Sequence, residues 1–156
     1  MTPQISKPGL SVGGALPDGY VWLRSGRMCD VVIKETVKKE IGKKASAEQR
    51  AGLEDIVERY SDGGWKNVPP KKYNASEGWF PSAHDKRIRL EAFKPWALRA
   101  YGFCEGFRGR PAFFITGVDT SKKQKSANQV ILARAGAEAV RLHDWLKSGG
   151  NNVPRG

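Results

Sequence analysis

Three consecutive stretches between Lys86 and Val118 constrain this chain most, because each has the two-residue period of a strand and the connections between them are short. In Arg87-Ile88-Arg89-Leu90-Glu91-Ala92-Phe93 the alternation places Ile88, Leu90 and Ala92 on one face and charge on the other. After Pro95, Trp96 to Cys104 forms a second strand, with Arg99, Tyr101 and Phe103 pointing one way and Leu98, Ala100, Gly102 and Cys104 the other. Glu105 to Arg110, with Gly106 and Gly109, supplies a hairpin connection to a third strand, Pro111 to Val118. An antiparallel meander follows.

On either side of the meander the pattern changes. Residues 1–19 hold Pro3, Pro8, Pro17 and four glycines without periodic hydrophobicity, as a flexible arm would. Tyr20–Leu23 and Cys29–Lys34 have strand composition and flank Arg24-Ser25-Gly26-Arg27, a four-residue hairpin loop. Glu35–Lys44 has helix-forming composition weakened by Thr36, Val37 and Gly42, which leaves open whether the second strand runs on before a helix begins. Ser46-Ala47-Glu48-Gln49 is a capping box, after which Leu53, Ile56, Val57 and Tyr60 recur at helical spacing. Ser61-Asp62-Gly63-Gly64 ends that helix. A loop rich in Pro, Gly and Trp is expected as far as His84, with Trp65, Trp79 and Phe80 available to pin it to the core.

A second capping box, Ser126-Ala127-Asn128-Gln129, opens a helix to about Lys147. Ile131, Leu132, Ala135, Ala139, Leu142 and Leu146 share one side of it, and Arg134, Glu138, Arg141 and Asp144 the other; His143, at the edge, suits packing. The expected fold is α+β: a small antiparallel meander packed against N-terminal helices and a C-terminal helix. It forms one domain over 20–148, between the arm and a frayed tail at 149–156.

No apolar run approaches the roughly 20 residues that cross a bilayer, and Met1–Lys7 lacks the basic leader and apolar stretch of a secretory signal. A cytoplasmic protein with no membrane partner is expected. Cys29 and Cys104 lie far apart and outside any C-x-x-C pair, as reduced, buried thiols would. No His, Cys or carboxylate spacing matches a ligand set and nucleotide-binding glycine motifs are missing, so neither metal nor cofactor is expected.

Charge points to the partner. The 27 Lys and Arg against 16 Asp and Glu leave +11, and nine of those eleven excess charges follow Tyr60. Such a field concentrates phosphate polymers and makes their binding fall with salt as counterions are released; RNA heads the candidates, and a field serving only solubility is the plainer explanation. Arg87, Arg89, Arg108 and Arg110 are candidate RNA contacts. In Phe113 to Lys125 an apolar strand opens into Lys122, Lys123 and Lys125 just before a helix, where lysines and N-terminal amides can hold phosphate together.

The succession Leu98-Arg99-Ala100-Tyr101, a glycine-containing turn, Phe113-Phe114-Ile115-Thr116-Gly117, Lys122-Lys123-Gln124-Lys125 and an alanine-rich helix resembles the RelE/HigB-like toxins of type II toxin–antitoxin systems. The resemblance spans about Ile88 to Leu146; the helix before it agrees in order, and the first 30 residues are unmatched. It implies a small antiparallel sheet with helices packed on it, and a metal-independent, ribosome-dependent endoribonuclease that cuts mRNA and is silenced by a cognate antitoxin. By position, Arg99 matches the family's strand arginine, and Lys122, Lys123 and Lys125 its basic motif.

In such cleavage the ribose 2′-hydroxyl attacks the adjacent phosphate, so cations must stabilise added charge and some group must take a proton. Like-charge repulsion among the clustered lysines makes one of them a candidate acceptor. Tyr101, by proton transfer or base stacking, and His84, from the loop, are the others. Many family members carry a catalytic tyrosine or histidine on a strand after this point, where this chain has a helix and a polar tail, so the acid/base pair stays unassigned. Two other classes remain open. One is a non-enzymatic basic nucleic-acid-binding protein of the kind a phage encodes; the other is a structural or interaction protein whose charge is incidental.

Overall fold

The computed structural model describes residues 15–83, 86–120 and 128–149. Tyr20–Ser25 (β1) and Asp30–Lys34 (β2) form a hairpin that leads into helices Glu35–Lys44 (α1) and Ala47–Gly63 (α2). Two 3₁₀ turns, Trp65–Asn67 and Pro70–Lys72, precede strands Tyr73–Pro81 (β3), Arg87–Phe93 (β4), Arg99–Phe107 (β5) and Arg110–Asp119 (β6), and helix Gln129–Lys147 (α3) follows. All six strands join one sheet in the order β1-β2-β6-β5-β4-β3. Its pairings are antiparallel except β2 with β6, which run parallel with Val31 opposite Phe113 and Ile33 opposite Ile115.

The α+β class and the meander β4-β5-β6 agree with the expectation, but the sheet is larger than the small one expected. The parallel pairing adds the N-terminal hairpin at one side, and β3 extends the other edge. β2 explains the layering: Val31, Val32 and Ile33 are consecutive and buried, so the strand needs cover on both faces. On one face Val31, Ile33, Phe93, Ala100, Phe113 and Ile115 pack with Val37 and Ile41 of α1 and Leu53, Ile56, Val57 and Tyr60 of α2. On the other, Val32, Leu90, Ala92, Tyr101, Phe103 and Phe114 pack with Leu132, Ala135, Ala139 and Leu142 of α3.

Ser46 caps α2 as its sequence predicts, its Oγ accepting the Gln49 amide at 3.0 Å while Gln49 Oε1 accepts the Ser46 amide at 2.9 Å. Small residues seat α3. A Cβ on Gly117 would lie 2.6 Å from that of Ala135, and one on Gly136 would lie 2.3 Å from the Phe80 ring, so the helix can reach the sheet only where these two side chains are absent.

The expected loop to His84 contains β3. Its register shifts between Asn74 and Gly78, which breaks the alternation a strand would announce. The second meander strand begins at Arg99, not Trp96, because Trp96 takes φ 56° in a turn closed by the Leu98 amide on the Pro95 carbonyl. The face of β4 expected to be charged is so only at Arg87 and Arg89, since Glu91 and Phe93 are buried. α3 is capped by Asn128, whose Oδ1 accepts the Val130 and Ile131 amides; Ser126 and Ala127 lie outside the described residues. Glu138 is not on a solvated face, because Tyr20 Oη donates to it at 2.7 Å and Lys34 and Arg141 pair with it. Cys29 is buried and its thiol pushed up to about 12 by that burial, whereas Cys104 is exposed on β5. Among the described residues no helix is long and apolar enough to cross a membrane.

All four tyrosines hold their protons more tightly than in the unfolded chain, chiefly through burial. A raised folded-state pKa means that the folded chain binds more protons than the unfolded one once pH passes the ordinary tyrosine value of about 10. The stability these hydroxyls contribute should be fully present below that pH and fall steadily above it. Urea midpoints between pH 8 and pH 11 measure this, and a flat profile would show the phenols to be solvated.

Candidate functional site

The parallel strands β2 and β6 end on the same side of the sheet, and their successors diverge. Lys34 of β2 leads directly into α1 on one face, while the chain beyond Asp119 of β6 returns as α3 on the other. Such a divergence opens a crevice at the carboxyl ends of the strands, the usual place for a ligand in α/β sheets. Here it is a groove of about 700 Å³ with Lys34, Lys44, Arg134 and Arg141 among its lining cations and Glu40 and Glu138 among its carboxylates. Arg141 and Tyr20 donate to Glu138 and Lys34 lies 3.4 Å from it; although burial opposes them, together they hold that carboxyl below its usual range. The groove therefore carries an excess of positive charge.

On the other side of β6, at the same end, Arg99 stands opposite Asp119. Arg99 Nη1 donates to Glu77 Oε2 at 2.8 Å, and Asn74 Nδ2 donates to the same oxygen at 2.7 Å. The Glu77 side chain is 5% exposed and that of Arg99 is 18% exposed, so the carboxylate anchors a guanidinium that still reaches solvent. Tyr101 shares the α3 face with Arg99, is fully buried, and its Oη has no hydrogen-bond partner among the described residues. Burial first and Glu77 second push its hydroxyl up to about 12, with Arg99 opposing. It stays protonated at physiological pH, and being closed to solvent it can position its neighbours only through the packing of its ring. Tyr101→Phe should leave stability unchanged or raise it by about 1 kcal/mol, since it deletes an unpaired buried hydroxyl. A loss above that size in a urea titration would reveal a partner for the hydroxyl.

The sequence-predicted residues fall in separate places. Arg99 and Tyr101 are neighbours on one face, as the alternation requires, while Lys122, Lys123, Lys125 and His84 lie outside the described residues. Arg87 and Arg89 occupy the opposite face, their guanidinium carbons 5.2 and 6.0 Å from the Trp79 ring centre. Arg108 lies at the far end of β5 from Arg99, in the hairpin turn at φ 61°, over Trp22 and Phe107. Arg110 binds the Gly26 carbonyl and sits 3.4 Å from Asp30, tying β6 to the first hairpin, a structural role. The basic hairpin therefore does not join Arg99 in one cradle. His143 is buried with Nδ1 3.0 Å from Glu105, in keeping with packing.

Sequence reasoning missed Glu77, Asn74, Lys34 and Arg134. The available signal was Glu77 itself, a carboxylate in the basic part of the chain, hidden because its segment reads as loop. Among the described residues no three His, Cys, Asp or Glu stand close enough to hold a metal ion. No protein-family model, curated protein or solved structure matches the chain.

Proposed function

We propose that this chain is a toxin-like, metal-independent endoribonuclease that cleaves mRNA on the ribosome, inhibits translation and is held in check by a cognate antitoxin. The observation that carries the proposal is the Arg99–Glu77 pair at the sheet end where β6 passes into the segment bearing Lys122, Lys123 and Lys125. Cleavage forms a bond from the 2′-oxygen to phosphorus and breaks the bond to the 5′-oxygen, taking one proton and returning another. A guanidinium fixed by a nearly buried carboxylate is preorganised to stabilise the negative charge that builds on the phosphoryl oxygens, without reorganisation during the step. Glu77, Asn74 and Tyr101 act as positioning residues; among the lysines, one in its neutral form takes the 2′-hydroxyl proton and another, as an ammonium, returns a proton to the departing 5′-oxygen.

A second reading, binding of RNA without cleavage, is favoured by the engagement of Arg99 with Glu77, which leaves the guanidinium fewer donors for phosphate. Induced expression in a bacterial host separates the two. The proposal predicts growth arrest, relieved by Arg99→Ala or by joint replacement of Lys122 and Lys123 with alanine. Normal growth at high expression, or arrest that both variants retain, contradicts it.

A further inference from the structure

The face of the sheet shared with α1 and α2 is incompletely covered. Helix cover reaches Tyr73 and Phe93, at one end of β3 and β4, where Tyr60 of α2 packs against both rings. Toward the other end Trp79 is 50% exposed, and Arg87 and Arg89 beside it are exposed. Trp65, 55% exposed, lies on Tyr73 with the ring planes 19° apart, and Lys66 stands 5.8 Å from its centre. A groove of about 480 Å³ is lined by Trp65, Lys66, Tyr73 and Arg89, and Arg89 at its edge also lies over Trp79. The carboxylate on this face of β4, Glu91, is buried and accepts the Tyr73 hydroxyl; its charge is felt by Arg89, while Lys66 and Arg87 stand farther along the face.

Two half-exposed indoles, each with cations beside its ring, offer flat apolar faces and positive charge on one surface. An apolar protein partner would have no use for Lys66, Arg87 and Arg89, and a duplex hides its base faces. Unpaired bases have both matching features, flat faces for the indoles and phosphates for the cations. We infer that this face is a track for single-stranded RNA, with one base stacking on Trp65, another on Trp79, and Lys66, Arg87 and Arg89 on the phosphates. It is separate from the Arg99 end, on the opposite face, and the edge strand β3 carries residues of both, Glu77 on one and Trp79 on the other. The choice of RNA as the polymer rests on the proposed function, but the track requires no cleavage.

The test is fluorescence anisotropy of a labelled 12-nucleotide oligoribonucleotide titrated with the full chain. Trp79→Ala and Trp65→Ala should each weaken binding about tenfold, the loss of one base stack. Trp79→Phe should restore most of the affinity, and joint Arg87→Gln and Arg89→Gln should reduce the slope of log affinity against log salt by about 1.4. Unfolding curves confirm that the variants fold. Wild-type affinity in both tryptophan variants overturns the track, as does duplex RNA binding as tightly as the single strand through the same residues. A single-stranded DNA of the same sequence binding more tightly than the RNA overturns the assignment of the polymer. Cleavage is read separately on the wild-type chain: tryptophan-dependent binding without cleavage upholds the track and removes the nuclease, and cleavage with tryptophan-independent binding does the reverse.

Discussion

Replacing Arg99 by alanine is expected to slow ribosome-dependent RNA cleavage by about 10²- to 10³-fold, the cost of removing one preorganised group that stabilises transition-state charge. The same change strands Glu77, 5% exposed and bonded to the guanidinium at 2.8 Å, as a nearly buried carboxylate without its cation. Breaking such a pair costs about 3–5 kcal/mol, so a fall in activity alone could report unfolding. Joint Arg99→Met and Glu77→Gln removes both charges, and should fold with little loss while remaining inactive. Single-turnover cleavage rates beside urea midpoints for both variants measure this. A double variant that folds and cleaves at the wild-type rate would remove Arg99 from the chemistry.

Legibility in the sequence followed the range of the interactions. The α2 stripe of Leu53, Ile56, Val57 and Tyr60, the Ser46 box and the alternation in Arg99, Tyr101 and Phe103 are local, and each has its predicted place. β3 was not legible because its irregular stretch between Asn74 and Gly78 cancels the strand period, and with it went Glu77, the partner of Arg99. The pairing of β2 with β6 joins residues about eighty positions apart and leaves no periodic trace; only the unbroken Val31-Val32-Ile33 run hinted at a strand covered twice. Burial of Glu91 and partial burial of Glu138 depend on Tyr73 and Tyr20 arriving from other strands, which a charge pattern cannot convey. The separation of Arg87 and Arg89 from Arg99 is one of strand parity. The turn at Trp96 placed their strands so that Glu91 faces Gly102 and Ala92 faces Tyr101, putting these arginines on opposite faces.

Phe113→Ala should cost about 3–5 kcal/mol, the usual penalty for emptying a buried phenylalanine site. Phe113 is fully buried on β6, stacked on Phe93 at 4.4 Å between ring centres and packed edge-on against Tyr60 of α2 at 5.2 Å. It thus joins the meander to the helical layer at the one strand that also holds β2. A loss of that size is a large share of the roughly 5–15 kcal/mol that stabilises a domain, so much of the variant should be unfolded or aggregated at 37 °C. Phe113→Leu, which keeps most of the volume, should lose much less. Urea unfolding at 25 °C supplies both values, and a penalty below about 1 kcal/mol for alanine would mean that the two layers do not depend on this contact.

The most direct test maps RNA ends in a translating extract by primer extension after addition of the purified chain. The account predicts new ends within the translated part of the message, dependent on ribosomes and absent when the folded Arg99→Met, Glu77→Gln chain is added. Intact message in the presence of folded wild-type protein, or the same ends with that variant, would contradict it.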